Sequence, residues 1–396
     1  RRMLLLSVNQ TILFALSMVV IAGLIGGQGL GNVVTSGLYS DPALALLAGA
    51  AIVVMAIALD RATEAMANRT DPTQRHLTEG KRRRLRIFTL ACAAGVGLAV
   101  GLGYAFGAGS TWSRWTAADW LRAQVQSVLD YVQSPSTFIF HITSPIGNFI
   151  VQYGLSPLRS FFIETPWPAM VFGLAAIAFL LSGLRPALIT VVMLGIIGLG
   201  NEWTNAMDTL SQVLVATIFT LIVGIPLGVW AAESARARKT MRPVLDVLQT
   251  LPQLVYIIPF IYLMPVSIVP GVMASVLYAS PVVIRLVEAG VREVSPHPVE
   301  AADSFGATRL QTLLKVKITL ARDAIMLGVN QGIIMVLAVV VIAGLVGSGA
   351  LGYDVAQGLQ QSLFGQGVLA SIAILALGIA LDRVTQGRSR KRIELT

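Results

Sequence analysis

Residues 209–232 read TLSQVLVATIFTLIVGIPLGVWAA, 24 positions without one Asp, Glu, Lys or Arg. As a helix rising 1.5 Å per residue, a run of this length crosses the roughly 30 Å hydrocarbon layer of a bilayer. The whole chain has the same character. Of its 396 residues, 55% are hydrophobic and only 12% charged, against about a quarter charged in an ordinary soluble domain. The 29 Lys and Arg with the 20 Asp and Glu are too few to coat the two or three soluble domains this length would otherwise form. Lipid is therefore the solvent for most of the surface.

Working outward from 209–232, near-uncharged runs recur at 3–26, 43–59, 87–109, 167–183, 187–200, 244–264, 266–284, 324–346 and 368–381. The expected fold is all-α, a polytopic bundle of about ten transmembrane helices. The short runs 187–200 and 368–381 are accommodated by tilt, local thinning or flanking residues. With a cytosolic N-terminus and alternating spans, only Arg114, Arg122 and Arg159 of the 29 cations face outward. That asymmetry obeys the positive-inside rule and predicts a multi-pass protein of the inner (plasma) membrane with both termini cytosolic. The excess of cations over acids sits in short clusters between apolar runs, as at 81–86 and 236–242, rather than on one face of a domain. It marks topology, not nucleic acid.

Segment 110–166 is the longest without a span. Leu121, Val125, Val128 and Val132 recur there at helical spacing beside Trp112, Trp115 and Trp120, which predicts an external amphipathic helix along the interface. Run 3–26 lacks a small-residue cleavage pattern and reads as a span, not a signal peptide. The single cysteine, Cys92, excludes an internal disulfide and any CxxC motif.

Comparison of the chain with itself reveals a duplication. Residues 8–31, VNQTILFALSMVVIAGLIGGQGLG, return at 329–352 as VNQGIIMVLAVVVIAGLVGSGALG, with 14 of 24 positions identical. After one inserted residue, Ile57-Ala58-Leu59-Asp60-Arg61 matches Ile379-Ala380-Leu381-Asp382-Arg383. Residues 1–66 thus read as the C-terminal part of a first module, 67–86 as a basic cytosolic linker, and 87–396 as a complete second module. Both copies share one orientation, which suits two modules facing each other across a pseudo-two-fold axis along the membrane normal.

The segment expected in the cytosol, 286–323, carries Glu300-Ala301-Ala302-Asp303-Ser304-Phe305-Gly306 and then a basic amphipathic stretch to Lys317. This resembles the EAA coupling loop of ABC-importer permeases. Gln249-Thr250-Leu251-Pro252, Val255-Tyr256, Pro259, Pro270-Gly271-Val272, Ile284-Arg285-Leu286, Gly328-Val329-Asn330-Gln331 and Gly224-Ile225-Pro226-Leu227-Gly228 are similar to the glycine betaine/proline betaine (osmoprotectant uptake) permease family. The resemblance covers roughly 161–381 and, through the duplication, 3–66. It departs at Ile318-Thr319, where the family's loop ends in Leu-Pro. It implies a type I ABC-importer permease fold, with two cytosolic ATPase subunits that bind ATP and Mg²⁺ and an extracytoplasmic substrate-binding protein delivering a betaine-like solute. Choline, proline betaine, carnitine and ectoine are all compatible with it, as is another small solute such as an amino acid.

The residues of the loop suit that role on their own chemistry. A rigid element that can be pushed needs two short helices joined at a sharp turn: Gly306 allows the turn, Ala301 and Ala302 permit close approach, and Glu300 pairs with a cation or caps a helix. Asp303 lies in the same segment. Pro252, Pro259, Pro265, Pro270 and Pro281 interrupt 244–284. Each removes a backbone donor, tolerated in a membrane only where protein or a water-filled cavity satisfies the freed carbonyl. They mark a translocation path or packing kinks satisfied by Gln249 and Thr250. Asn330 and Gln331, with Asn9 and Gln10 in the first copy, line that path or hydrogen-bond between helices. Tyr256, Tyr262 and Tyr278 offer π-faces to a quaternary ammonium or act as core residues.

No GxxxxGK[ST] occurs, so the chain binds no ATP through a P-loop. Gly347-Ser348-Gly349-Ala350-Leu351-Gly352 matches a dinucleotide fingerprint in letters only, since it follows a membrane run rather than a strand. His76, His141 and His297 have no second ligand at metal spacing, and no catalytic triad is suggested. An ion-coupled carrier is the rival class. It places ionisable groups within the membrane, where each costs on the order of 3 kcal/mol, and Asp246 is the only acid inside the runs.

Overall fold

The computed structural model describes residues 21–23, 26–69, 117–264 and 268–386, with isolated positions at 11, 15, 18, 19, 95 and 98. Among them no strand occurs. The first elements are α1 (Leu30–Ser40) and α2 (Pro42–Arg69). Then come α3 (Ala117–Gln133) and α4 (Phe138–Phe149), which runs through a π-helical turn (Ile150–Leu155) into α5 (Ser156–Glu164). α6 (Trp167–Ser182) and α7 (Leu184–Leu199) lead to the 31-residue α8 (Trp203–Glu233). α9 (Ala235–Thr250), α10 (Gln253–Leu263) and α11 (Val269–Arg292) follow. Two short pieces, α12 (Pro296–Ser304) and α13 (Arg309–Gln311), continue through a π-turn (Thr312–Lys317) and α14 (Ile318–Leu320). α15 (Arg322–Ala343), a third π-turn (Gly344–Ser348), α16 (Ala350–Gln360) and α17 (Phe364–Gln386) come last.

α8, α11 and α15 form the centre. Their packing is close because small residues stand where the helices cross. A Cβ on Gly224 would sit 2.8 Å from Val283, and one on Gly228 would sit 2.7 Å from Val287 and 2.8 Å from the Ile284 carbonyl. Without a hydrophobic drive between helices in lipid, such approach is what dispersion forces require. Met207, Leu210 and Val213 of α8 fill the core with Val272 and Ala279 of α11, Val336 and Val340 of α15, and Leu377 of α17.

Among the described residues, five helices are long and apolar enough to span a bilayer: 42–63 of α2, α8, α11, α15 and 364–385 of α17. The number reaches seven if α4–α5 with α6, bent by 113°, and α9 with α10, bent by 99°, each count as one broken span. Several sequence expectations are corrected here. Run 244–264 is not one helix, because the chain turns at Leu251 and Pro252, both extended, at ψ 136° and 142°. Proline forces this on the residue before it. Run 187–200 forms the 16-residue α7, shorter than a full span. Segment 110–166 is not one interfacial helix: α3 is separate from α4–α5, and Ile150, Leu155 and Phe162 enter the main core. On α3 the buried side is Leu129, with Val125 half-buried, whereas Leu121 and Val128 are exposed. Runs 3–26 and 87–109, and residues 70–86 of the expected linker, lie essentially outside the described residues.

The duplication is visible in three dimensions. In the first copy the backbones at Gly23 and Gly31 approach so closely that a Cβ on Gly23 would lie 2.3 Å from Gly31. Their counterparts, Gly344 and Gly352, repeat this at 2.6 Å. Gly37 against Ala45 recurs as Gly358 against Gly367, and Gly26 and Gly347 both take positive φ, 87° and 104°.

Candidate functional site

The segment between α11 and α15 is a compact lever. α11 continues to Arg292, so the lever spans 293–321, shorter than the expected 286–323. Gly306 has φ +77°, and α12 ends in a Schellman turn there: Ala307 N–H donates to the Ala302 carbonyl at 3.0 Å and Gly306 N–H to the Asp303 carbonyl at 3.0 Å. Only glycine adopts that backbone without strain. Thr308 then opens the second helix with a capping box closed by Gln311. The Thr312 hydroxyl donates to Asp303 at 3.1 Å across the turn, fixing the two short helices to each other. Glu300 and Ala301 are exposed, Ala302 is half-buried, and Phe305 at the tip is 93% exposed.

Polar contacts tie this end of the bundle together. Lys317 donates to Glu233 at the end of α8 at 2.7 Å. Glu288 of α11, nearly buried, faces Arg238 of α9 at 4.0 Å and Arg292 at 3.5 Å, and Arg285 pairs with Asp246. The segment is thus joined to α8 by a direct ion pair, and further pairs link α9 with α11 at the same end of the bundle.

The expected path residues do not converge. Pro252 and Tyr256 are buried, whereas Gln249 and Pro259 are exposed. Pro252 breaks the chain, while Pro226, Pro259 and Pro281 lie inside helices and Pro270 opens α11. The Tyr256 and Tyr278 rings meet edge to face at 5.5 Å, and Gln253 donates to the Tyr278 hydroxyl at 2.9 Å. Tyr256 and Tyr262 are core residues against α2. Asn330, 1% exposed, donates to Asp382 of α17 at 3.3 Å and accepts from Thr385. That is interhelical bonding, the blander of its two readings. Gln331 is half-buried. Asn9, Gln10, Pro265 and the side chain of Thr250 lie outside the described residues.

Sequence reasoning missed the acids. Asp208, Glu288 and Asp382 all lie in spanning helices, because those helices start earlier or run further than the uncharged runs did. Asp208 pairs with Arg159 of α5 at 3.2 Å. At the end of α8 remote from the lever, Asn205 donates to both Glu202, at 3.4 Å, and Asp354 of α16, and Gln366 donates to Asp354 at 3.4 Å. Both carboxyls are buried. Burial first, and then for Glu202 the neighbouring Asp354, raises each above the usual carboxylate range, against the opposing effect of Asn205. Among the described residues no three His, Cys, Asp or Glu side chains gather as metal ligands.

A multi-pass bundle with a bonded helix–glycine–helix lever at one end defines a membrane transport permease. Residues 224–392 match the family described as binding-protein-dependent transport system inner membrane component. Glycine betaine/proline betaine transport system permease protein ProW of Escherichia coli (strain K12) is 39% identical over 240 residues, 61% of this chain and 68% of that protein. Glycine betaine transport system permease protein OpuAB of Bacillus subtilis (strain 168) is 39% identical over 218 residues, 55% of this chain and 77% of that one. Trimethylamine N-oxide transport system permease protein TmoV of Ruegeria pomeroyi aligns over 97% of this chain and 58% of its own length at 29% identity. The chain belongs to the glycine betaine/proline betaine permease family of ABC importers.

Proposed function

We propose that the chain is the membrane subunit through which a betaine-like solute enters the cell, with both termini cytosolic. Two ATPase subunits, which hold the ATP and Mg²⁺, grip the lever around Glu300, Ala301, Ala302, Asp303 and Gly306 and its counterpart in the first module. A substrate-binding protein delivers solute to the opposite face. The observation that carries this reading is the rigid turn at Gly306 with Phe305 exposed at its tip. A side chain that apolar, on a lever tied to α8 by Lys317, suits a pocket on a motor subunit. Closure of the motors biases the outward- and inward-facing states only if the motors bind the two unequally. The related transporters named for glycine betaine and trimethylamine N-oxide support a small solute whose nitrogen carries four substituents and a formal positive charge. The test is uptake of labelled glycine betaine into proteoliposomes holding the copurified complex. Uptake is expected to require ATP and binding protein and to be abolished by Gly306→Pro and lowered at least tenfold by Glu300→Ala. Full coupled uptake in both variants, or accumulation driven by an ion gradient without nucleotide, overturns the assignment.

A further inference from the structure

α11 is the most enclosed of the described spans. A partly open stripe nevertheless runs along it through Tyr278, Val282, Arg285, Ala289 and Arg292, at helical spacing. Arg285 lies seven residues before the end of the helix at Arg292, about 10 Å into the span. A neighbouring helix is apolar at this depth: Gly224 of α8 meets Val283, which sets Ile222, 61% exposed, level with Val282. A charge turned to lipid there costs on the order of 3 kcal/mol, yet the side chain of Arg285 is 39% exposed and that of its partner Asp246 55%. The span that carries Asp246 then breaks at Leu251 and Pro252 with a bend of 99°, and Gln249 beside the break is exposed. Irregular backbone at membrane depth is tolerated where it is buried in protein or lines a water-filled cavity. Both features set water, not lipid, against this side of α9 and α11.

A guanidinium carries five N–H donors, and its fork takes a carboxylate by two of them. Asp246 engages Nη2 alone through one oxygen, and Nε of Arg285 is buried with no partner among the described residues. The fork is half used. A second, less exposed pair, Arg238 with Glu288, already joins α9 to α11. We infer that Arg285 and Asp246 form a solute-reading gate: Arg285 takes the anionic oxygen of a zwitterion, Asp246 faces its cationic nitrogen, and the pair re-forms once the solute has passed. Exchange of one ion pair for two leaves no charge orphaned, which is what makes opening tolerable inside a membrane. The inference rests on the proposed betaine-like solute and narrows it to a zwitterion. The carboxylate of a betaine or the oxygen of an N-oxide satisfies Arg285, whereas a bare cation such as choline offers it nothing.

The test uses the copurified complex in proteoliposomes with saturating betaine-loaded binding protein, and reads betaine taken up per ATP hydrolysed. Arg285→Gln with Asp246→Asn removes both charges together, so neither is stranded. This double variant is expected to keep the parent's unfolding temperature and ATP hydrolysis while uptake per ATP falls about tenfold or more, the worth of a hydrogen bond to a charged group. A role confined to holding α9 on α11 would not separate uptake from hydrolysis. Independently, in a cysteine-free background, Val282→Cys is expected to react about tenfold faster than Ile222→Cys with a water-soluble trimethylammonium methanethiosulfonate. Unchanged uptake per ATP in the double variant, uptake and hydrolysis falling together, or equal thiol rates at the two positions overturns the inference. A parent complex that imports no betaine sinks the proposed solute instead, and the thiol rates still decide whether the stripe is wet.

Discussion

Gly228 shows what a single missing methyl does in this bundle. A side chain there meets Val287 and the Ile284 carbonyl inside van der Waals contact, and a carbonyl on a packed helix has little freedom to move away. Gly228→Leu should therefore cost about 1–3 kcal/mol through overpacking, read as a lower unfolding temperature in detergent. Gly228→Ala should fall between it and the parent. Ala350 offers the opposite case. It holds φ +60° where the first copy has Gly29, at φ +133°, and an L-residue in that region carries a strain of about 1 kcal/mol or more. Ala350→Gly should raise stability by about that amount, measured the same way. Gly224 and Gly228 stood out in the sequence as part of a stretch similar to the permease family's, and Gly306 as the turn of the EAA-like segment. What Gly224 and Gly228 touch was not legible, because a neighbour such as Val287 lies 59 positions from Gly228 and enters only through the crossing of two helices. The acids were misread for a related reason: a scan for uncharged runs stops one residue short of Asp208, although the helix does not stop there.

Among the elements, the prolines separate most clearly into kinds. Pro252 follows an extended Leu251 and turns the chain by 99°, whereas Pro259 sits inside α10 and is exposed. Sequence spacing treats them alike. The difference arises from what each neighbour can bond to: at Pro252 the preceding helix ends, while at Pro259 the helix continues on either side of the missing donor. Pro259→Ala restores a backbone N–H and should stabilise α10, by at most about 3 kcal/mol. Pro252→Ala removes the restriction on Leu251 and should broaden the distance distribution between spin labels on α9 and α10, as measured by pulsed electron resonance. A distribution as narrow as the parent's would mean that packing against α2, not proline, holds the bend. In the segment between α11 and α15 the turn at Gly306 was legible, because a Schellman turn is a local device whose partners lie within six positions, whereas the Thr308–Gln311 capping box and the true end of α11 at Arg292 were not read.

At the scale of the molecule, α8 joins two polar ends of different character. Its lever end is held by cation–carboxylate pairs, while its remote end is held by Glu202 and Asp354 sharing the Asn205 amide, with Gln366 beside them and the Arg159–Asp208 pair about one turn along the helix. Both carboxyls at the remote end have folded-state pKa values raised by burial. The sign follows from linkage: the unfolded chain releases these protons first as pH rises. Their contribution to stability is thus whole below the ordinary carboxyl range, near pH 4, and is lost as pH climbs through the raised values. The loss has a structural address, since Asp354 lies on α16 and Glu202 at the turn between α7 and α8. Deprotonation therefore loosens the attachment of the second hairpin to the central helix at the end where solute is proposed to arrive. Glu202→Gln and Asp354→Asn keep hydrogen-bonding groups but cannot ionise. Each should flatten the fall of unfolding temperature as pH rises above the ordinary carboxyl range, and the double variant should flatten it further than either single one, because burial raises each carboxyl on its own account. Parallel curves for parent and variants would show that the two carboxyls ionise freely in the folded protein and that the attachment rests on packing around Leu351 alone.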